Sequence, residues 1–315
     1  MKSSVYQPVY IAGPTASGKS DLAIRLAEEF DSVIISADSM QIYKGLDIGT
    51  AKVSEEIRGK YEHKLVDVVG FDEEFSVAQY AEMAKSAIEC ALNQGKLPIV
   101  VGGTGLYFDA LLYPMNFGHT IKNDALRSEL SEEYDRIGAE TMHSKLSALD
   151  ADTAKRLHPN DKKRIIRALE IIMTTGKTLK ENGDSQIDDL NAIMVVLNTD
   201  REVLYNRINA RVDKMFDEGL INEVLSVGRF DCQSMQAIGY KEFADCEYEI
   251  ENGKFLLSDS ETERIKSLIK QHTRNYAKRQ ITWFKKYKFA KWFECGDYDG
   301  AISYIKTAMS KDRGI

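Results

Sequence analysis

One eight-residue segment constrains the fold of this chain more than any other. It follows an apolar run, precedes a stretch with helical period, and reads Gly13-Pro14-Thr15-Ala16-Ser17-Gly18-Lys19-Ser20. The pattern G-x-x-x-x-G-K-[ST] between a strand and a helix predicts a phosphate-binding loop. Its glycines let backbone N–H groups curl around phosphate oxygens, and the helix that follows points its positive end at the anion. Lys19 adds a cation, and the Ser20 hydroxyl is placed to bind Mg²⁺.

Short runs rich in Val, Ile and Leu predict the strands of a sheet. They lie at Val9–Ala12, 33–37, 97–101 and 193–197. Nearly continuous apolar runs are typical of strands that are buried on both faces of a parallel sheet. Stretches with helical period, at 21–30 and 77–92, separate the first three runs. We therefore predict an α/β fold, a P-loop NTPase-like parallel sheet flanked by helices.

The region 116–186 differs from the rest of the chain. It is polar and helical in pattern, with breaks near Gly118, Pro159 and Gly176, and it contains no convincing strand. Because it lies between the third and fourth predicted strands, we interpret it as an inserted all-helical domain. Residues 1–115 and 187–315 then form the α/β core, and we expect helices from about residue 201 onward.

Composition excludes several classes of protein. The 315 residues are 43% hydrophobic and 29% charged, which is ordinary for a globular chain. No run reaches the roughly 18 apolar residues of a membrane span, and the first apolar run leads directly into the phosphate loop. The cysteines Cys90, Cys232, Cys246 and Cys295 form no C-x-x-C pair. We expect neither a zinc site nor a disulfide framework, and we predict a monomer in the reducing cytoplasm.

Polar segments follow the second and third predicted strands. The second ends in Asp38-Ser39-Met40-Gln41-Ile42-Tyr43. Ligands of open α/β sheets lie at the carboxyl ends of the strands, so Asp38 is expected near the phosphate loop. It could hold Mg²⁺ through water, act as a general base, or simply cap the next turn.

The third strand ends in Gly102-Gly103-Thr104-Gly105, which a tight turn between strand and helix would equally explain. No acidic residue ends this strand. An NTPase commonly carries its metal-binding Asp there, so the absence counts against ATP hydrolysis.

Basic residues are concentrated in one part of an otherwise acidic chain. The net charge is −7, yet 264–291 contains ten Lys or Arg and no Asp or Glu. Such a concentration of cations favours RNA contact. The interleaved aromatic residues could stack on bases, but we favour core packing for them: Tyr276, Trp283, Phe284, Tyr287 and Phe289. A second basic patch contains Lys162, Lys163, Arg164 and Arg167.

Ordered motifs along most of the chain give it a resemblance to a known family. D-S-M-Q-I-Y at 38–43, D-I-G-T-A-K at 47–52 and K-R-Q-I-T-W at 278–283 are the most specific of them. With the phosphate loop, H-P-N-D at 158–161 and A-I-G-Y-K-E at 237–242, the chain resembles the bacterial tRNA dimethylallyltransferase (tRNA isopentenyltransferase, IPP transferase) family. The resemblance implies an inserted helical domain that binds tRNA, in agreement with the pattern of 116–186, and a P-loop catalytic core formed by residues 1–115 and 187–315.

The resemblance also implies a role for each matching residue. Asp38 is implied as the general base, with Lys19 and Arg211 as the other catalytic residues. The diphosphate is implied to bind to Gly13, Pro14, Thr15, Ala16, Ser17, Gly18, Lys19 and Ser20, with Mg²⁺ as the cofactor on Ser20. The residues implied to bind tRNA are Asp38, Ser39, Met40, Gln41, Thr104, Arg127, Lys163, Arg164, Ile165, Ile166 and Arg167.

The reaction implied by the resemblance is a prenyl transfer. Dimethylallyl diphosphate would donate its dimethylallyl group to N6 of the adenine on the 3′ side of the anticodon, in tRNAs that read codons beginning with U. The partner implied is the anticodon stem-loop. Two other functions are compatible with the same phosphate loop: a nucleotide-dependent kinase of small molecules, and an RNA-binding protein without catalysis.

Overall fold

The computed structural model describes residues 6–113, 123–178 and 192–312. The chain divides into two compact units. The larger comprises 1–111 and 188–315 and is called the α/β unit here; the smaller comprises 112–187 and is called the helical unit. No described helix is both long and apolar enough to cross a membrane.

Strands of the described residues all belong to the α/β unit. They are β1 (Val9–Ala12), β2 (Ser32–Ser36), β3 (His63–Lys64), β4 (Leu97–Gly102), β5 (Ile193–Asn198), β6 (Glu249–Glu251), β7 (Lys254–Leu256) and β8 (Lys291–Glu294). Six of them form one parallel sheet in the order β3-β2-β4-β1-β5-β8. β6 and β7 form a separate antiparallel hairpin.

The helices connect these strands and build the helical unit. They are α1 (Lys19–Glu29), α2 (Glu55–Lys60), α3 (Val77–Asn93), α4 (Gly105–Leu112), α5 (Asp124–Ile137), α6 (Ala139–Leu149), α7 (Ala151–Ala154), α8 (Lys162–Thr175), α9 (Arg201–Asp217), α10 (Leu220–Val227), α11 (Asp259–Phe284) and α12 (Tyr298–Asp312).

The predicted parallel α/β fold is confirmed, because β1, β2, β4 and β5 lie within one residue of the predicted runs. Their side chains are buried on both faces, and Ile11, Ile99 and Val195 have no exposed surface. The expectation of helices alone after residue 201 is wrong, since β6, β7 and β8 lie there. β8 reads Lys-Trp-Phe-Glu and is only partly buried at the edge of the sheet, so it lacks the apolar run that marks a central strand.

The helical unit has a core of its own. Leu130, Met142, Leu146, Ile165 and Leu169 pack together from α5, α6 and α8, and each is almost fully buried. Pro159 lies in the connection before α8, and α8 ends at Gly176 with a φ of 69°, which favours glycine. The break predicted near Gly118 lies outside the described residues.

Candidate active site

A cavity of about 360 Å³ opens at the carboxyl ends of β2 and β4 in the α/β unit. This volume lies in the range typical of small-molecule sites. It collects predicted site residues from three separate segments of the chain. They are Thr15, Lys19 and Ser20 of the phosphate loop, Asp38 to Gln41 after β2, and Arg211 on α9.

The phosphate loop has the backbone that its sequence predicts. Gly13 has a φ of 150°, and a side chain there would meet the Leu197 carbonyl oxygen at 2.4 Å. Gly18 has a φ of 83° and directly precedes α1, so the helix begins with its free N–H groups at the loop. The Ser17 hydroxyl is fully buried and has no hydrogen-bond partner among the described residues. A buried donor of this kind fits a loop that encloses an anion.

Lys19 and Arg211 place two cations at the cavity beside Asp38. The Lys19 ammonium donates to the Pro14 carbonyl oxygen at 2.6 Å, which folds it across the phosphate loop. Burial lowers the pKa of Lys19 to about 8, Arg211 acts in the same direction, and Asp38 opposes both. Burial also lowers the pKa of Arg211, while Asp38 again favours the charged form. Because Arg211 contributes to the lowered pKa of Lys19, the two positive charges lie near each other, and such a pair favours a bound anion.

Asp38 begins a tight turn at the end of β2. Its Oδ1 accepts a hydrogen bond from the Met40 N–H at 2.9 Å, so the capping role is present. The Ser39 N–H donates to the Thr104 hydroxyl at 2.9 Å, and the Thr104 N–H donates to the Ala37 carbonyl oxygen at 3.1 Å. Thr104 therefore ties the turn after β4 to the turn after β2. These two hydrogen bonds help to fix the conformation of the Asp38 turn.

The end of β4 excludes an acidic side chain. A Cβ at Gly102 would lie 2.1 Å from the Ala37 carbonyl oxygen, so β2 would have to move to admit one. The place where an NTPase commonly carries a metal-binding Asp is thus occupied by close backbone contact with β2. Gly102 is therefore required by packing.

Gln280 on α11 is a site residue that was not singled out individually from the sequence. Its side chain is buried, accepts from the Thr15 N–H at 2.9 Å and donates to the Gly103 carbonyl oxygen at 2.9 Å. It joins the phosphate loop to the turn after β4. A side chain at Gly103 would meet the Gln280 amide at 2.2 Å, so the glycine and the glutamine are matched. The signal lay in the motif K-R-Q-I-T-W, whose contact with two glycine turns only the fold reveals.

Comparison with known proteins gives the family. The family model for IPP transferase matches residues 41–287. This chain belongs to the IPP transferase family. A curated relative from Thermoanaerobacter sp. (strain X514), named tRNA dimethylallyltransferase, is 44% identical over 301 residues and 93% of each chain is covered. One of the same name from Bacillus subtilis (strain 168) is 44% identical over 294 residues, covering 91% of each.

Solved structures of the family have the same fold. The full-length tRNA isopentenylpyrophosphate transferase from Bacillus halodurans is 36% identical, covers 98% of both chains and gives a TM-score of 0.69. A eukaryotic dimethylallyltransferase described as acting on tRNA is 28% identical, with 93% of this chain and 74% of that chain covered and a TM-score of 0.76. The family predicted from the motifs is therefore confirmed.

In the helical unit, the residues of this chain that are predicted to bind tRNA lie in two environments. Lys163 and Arg164 are exposed at the start of α8. Ile165 and Ile166 are 0% and 8% exposed and pack in the core of the unit, so their side chains are not available to RNA. The reason is helical periodicity, because neighbouring residues point to different sides of α8. tRNA contact by the stretch 163–167 stays a prediction, with its exposed charge on Lys163 and Arg164.

Arg127 and Arg167 share one buried carboxylate. Arg127 Nε lies 2.9 Å and Arg167 Nη1 2.7 Å from the same oxygen of Glu170, whose side chain has no exposed surface. Glu170 also accepts from the Asn123 N–H at 3.1 Å. Arg127 therefore joins α5 to α8 through Glu170, and Arg167 pairs with the same carboxylate from within α8.

The residues of the basic stretch 264–291 lie in different environments: some are ion-paired or buried, and others are exposed to solvent. Lys270 and Lys286 form ion pairs with Asp213 and Asp109. Phe284 and Tyr287 are buried, as core packing predicts. Trp283 is 37% exposed, and Tyr276 lines the cavity, so these two differ from that prediction. The exposed cations of the stretch are Arg264, which pairs with Glu261, and Lys278, Arg279, Lys285, Lys288 and Lys291.

Proposed function

We propose that this protein transfers a dimethylallyl group from dimethylallyl diphosphate to N6 of an adenine in tRNA, at the cavity of the α/β unit. Its family and its 44% identity to curated tRNA dimethylallyltransferases make it a prenyltransferase. The observation that carries the site assignment is that Lys19, Asp38 and Arg211 line one cavity beside the phosphate loop. Cations for a leaving diphosphate and a carboxylate for a nucleophile are then within the same enclosed space.

The phosphate loop binds the diphosphate of the donor. The N–H groups at the start of α1 and the Lys19 ammonium would meet an anion held there. Negative charge increases on the diphosphate as the bond to the allylic carbon breaks. Lys19, held by the Pro14 carbonyl oxygen, and Arg211 both line the cavity, so their charges can stabilise the leaving group.

Mg²⁺ fits the same place. Ser20 at the start of α1 and Asp38 both line the cavity and offer the oxygen ligands that this ion prefers. No group of three or more His, Cys, Asp or Glu that could enclose a metal occurs in the described ranges. Ser20 is therefore proposed to hold the ion together with the diphosphate oxygens, where it would add positive charge opposite the leaving group.

Asp38 acts as the general base. Its Oδ1 is engaged by the Met40 N–H, which orients the carboxylate and leaves Oδ2 to accept the proton from adenine N6. The N6 lone pair is delocalised into the purine ring, so proton removal and placement both matter. The adenine has to leave its stack to enter the cavity, which costs a few kcal/mol.

tRNA is bound by cations of both units in this proposal. Lys163 and Arg164 on α8, and Lys285, Lys288 and Lys291 at and after the end of α11, offer exposed charge to RNA phosphates. The target is the adenine on the 3′ side of the anticodon, in tRNAs that read codons beginning with U. The cytoplasm stays our predicted location, and free Cys90, Cys232, Cys246 and Cys295 agree with a reducing compartment.

The direct test uses an unmodified anticodon stem-loop RNA, dimethylallyl diphosphate and Mg²⁺. We expect mass spectrometry of the digested RNA to find dimethylallyl adenosine at the position 3′ to the anticodon, and equal amounts of diphosphate to be released. A parallel reaction contains ATP instead of the allyl donor. Transfer of the γ-phosphate to an acceptor, without any alkylated RNA in the first reaction, would favour the kinase function and reject prenyl transfer.

A further inference from the structure

The carboxylate of Glu223, on α10, accepts four hydrogen bonds. Its Oε2 accepts from the N–H groups of Asp47 at 2.8 Å and Ile48 at 2.7 Å. Its Oε1 accepts from the Gly49 N–H at 3.0 Å and the Tyr240 hydroxyl at 2.7 Å. Three consecutive N–H groups that converge on one anion form a concave backbone cradle, here filled by a side chain 174 to 176 residues away.

The loop held by Glu223 forms one wall of the cavity. Gly49, Thr50 and Ala51 all line it, whereas Glu223 is not among its lining residues in the described part of the chain. The wall is linked to the Asp38 turn through Gln41. The Gln41 amide nitrogen lies 3.4 Å from the Thr50 carbonyl oxygen, and its amide oxygen accepts from the Ser36 hydroxyl at 3.0 Å. The position of Gln41 therefore depends on where the loop lies.

Packing makes the contact between Glu223 and the loop specific. The Tyr240 ring is fully buried directly under Gly49, and a Cβ at Gly49 would lie 2.5 Å from a ring carbon. Gly239 has a φ of 99°, which lets the segment 237–242 turn beneath the loop. Burial and the neighbouring Glu223 raise the pKa of Tyr240, so its hydroxyl stays a donor.

A second anchor fixes the far end of the same loop. The Lys52 ammonium, on a side chain only 2% exposed, lies 2.6 Å from Asp47 and 2.5 Å from Asp67. It also donates to the Tyr43 carbonyl oxygen at 2.5 Å. With Lys52 holding one end, Glu223 determines how the segment 47–49 enters the cavity wall.

We infer that Glu223 is a positioning residue for the transfer reaction, which fixes the 47–51 loop and so holds Gln41 in place for the RNA. The inference rests on the proposed function, because Gln41 is assigned there to the target base. Glu223 acts through the loop and touches neither substrate. A change at Glu223 should therefore alter the binding of RNA. The phosphate loop shares none of these contacts, so binding of the diphosphate should not change.

The variant Glu223→Gln tests this role. An amide oxygen still accepts, but the amide nitrogen faces backbone N–H groups that need an acceptor. Loss of such charge-assisted bonds is expected to raise the KM for an anticodon stem-loop RNA about tenfold. The KM for dimethylallyl diphosphate and the affinity for inorganic pyrophosphate, measured by calorimetry, should stay within about twofold. The exposed Glu218→Gln is the matched control and should leave every parameter unchanged.

If Glu223 only stabilises the fold, its replacement should change the kinetic parameters in a different way. Fewer folded molecules would lower kcat while both KM values stay the same, and that result would overturn the inference. If Glu223→Gln does not fold, Tyr240→Phe decides instead, because it removes one of the four bonds and keeps the ring under Gly49. An RNA KM raised about threefold supports the inference, and an unchanged one rejects it. If the unaltered protein transfers no dimethylallyl group, the proposed function is rejected. That outcome is distinct from a failure of the inference about Glu223, which is seen only in the variants.

Discussion

Each unit contains one carboxylate with two cations, but the two sets are arranged differently. In the helical unit, Glu170 is in direct contact with Arg127 and Arg167. In the α/β unit, Asp38 influences the pKa values of Lys19 and Arg211, yet forms no ion pair with either in the described chain. In the first set, both cations are ion-paired with the carboxylate, and the set joins α5 to α8. The second is held apart by the loop after β1, the turn after β2 and α9, so its charges remain available to a ligand.

The comparison predicts the largest loss for Asp38→Asn. Asparagine can still accept from the Met40 N–H, so the turn should survive while the base is lost. We expect the rate of transfer to fall by about 10²- to 10⁴-fold, with little change in tRNA affinity. Single-turnover kinetics with labelled donor measure the rate, and exposed Asp31→Asn serves as the control. A loss below about threefold would mean that another group removes the proton.

Lys19→Met should have the next largest effect. It removes a cation from the phosphate loop, and we expect pyrophosphate affinity to fall about 10- to 100-fold. Because the pKa of Lys19 is lowered to about 8, its positive charge is lost as the pH rises through that value. Affinity of the unaltered protein should therefore decline above about pH 8. Calorimetry between pH 7 and 9.5 tests this, and a decline that persists in Lys19→Met would assign it to another group.

Glu170→Gln probes the ion-paired set of the helical unit and should affect stability more than catalysis. It leaves two arginines without their carboxylate. The cost is expected to be about 2 kcal/mol, below that of a fully buried pair because both arginines are about one-third exposed. Thermal unfolding measures it, and the KM for the donor should not change.

The pH dependence of this stability has a definite sign. Burial raises the pKa of Glu170, but hydrogen bonds from Arg167 and Arg127 outweigh it, so the pKa lies below its usual value of 4.5. The stabilisation is present above pH 4.5 and is lost as the pH falls below that value. On acidification, the unaltered protein should lose the part of its stability that ionised Glu170 provides. Glu170→Gln lacks this carboxylate and should not show that loss. Equal acid sensitivity of the two proteins would contradict the assignment.

The smallest effect is expected for Lys163→Ala combined with Arg164→Ala. Both side chains are exposed, so stability should change little. We expect a few-fold weaker tRNA binding and a salt dependence whose slope is lower by about two. Filter binding at several salt concentrations measures the slope. The exposed Lys85→Ala on α3 is the control, and an unchanged slope would show that these cations do not contact phosphates.

Much of the α/β unit could be predicted because its signals are local. The phosphate loop and the four central strands are encoded in consecutive residues, and each was found within one residue of its place. β8 was not predicted, because a strand at the edge of the sheet with charged ends lacks the apolar run that marks a central strand. In α8, the motif marked 163–167 as one functional stretch, but the helix turns Ile165 and Ile166 into the core.

The sequence by itself determined that this protein has a parallel α/β sheet with a phosphate loop, and its motifs indicated the family. Short apolar runs and glycine patterns act on the adjacent backbone, so they can be read in order along the chain. Only the tertiary structure decided that Gln280 joins Thr15 to Gly103, that Glu223 fixes Gly49, and that Glu170 binds two arginines. For Glu223 the partner lies 174 residues away, and such pairs depend on how whole helices pack, which no local pattern records.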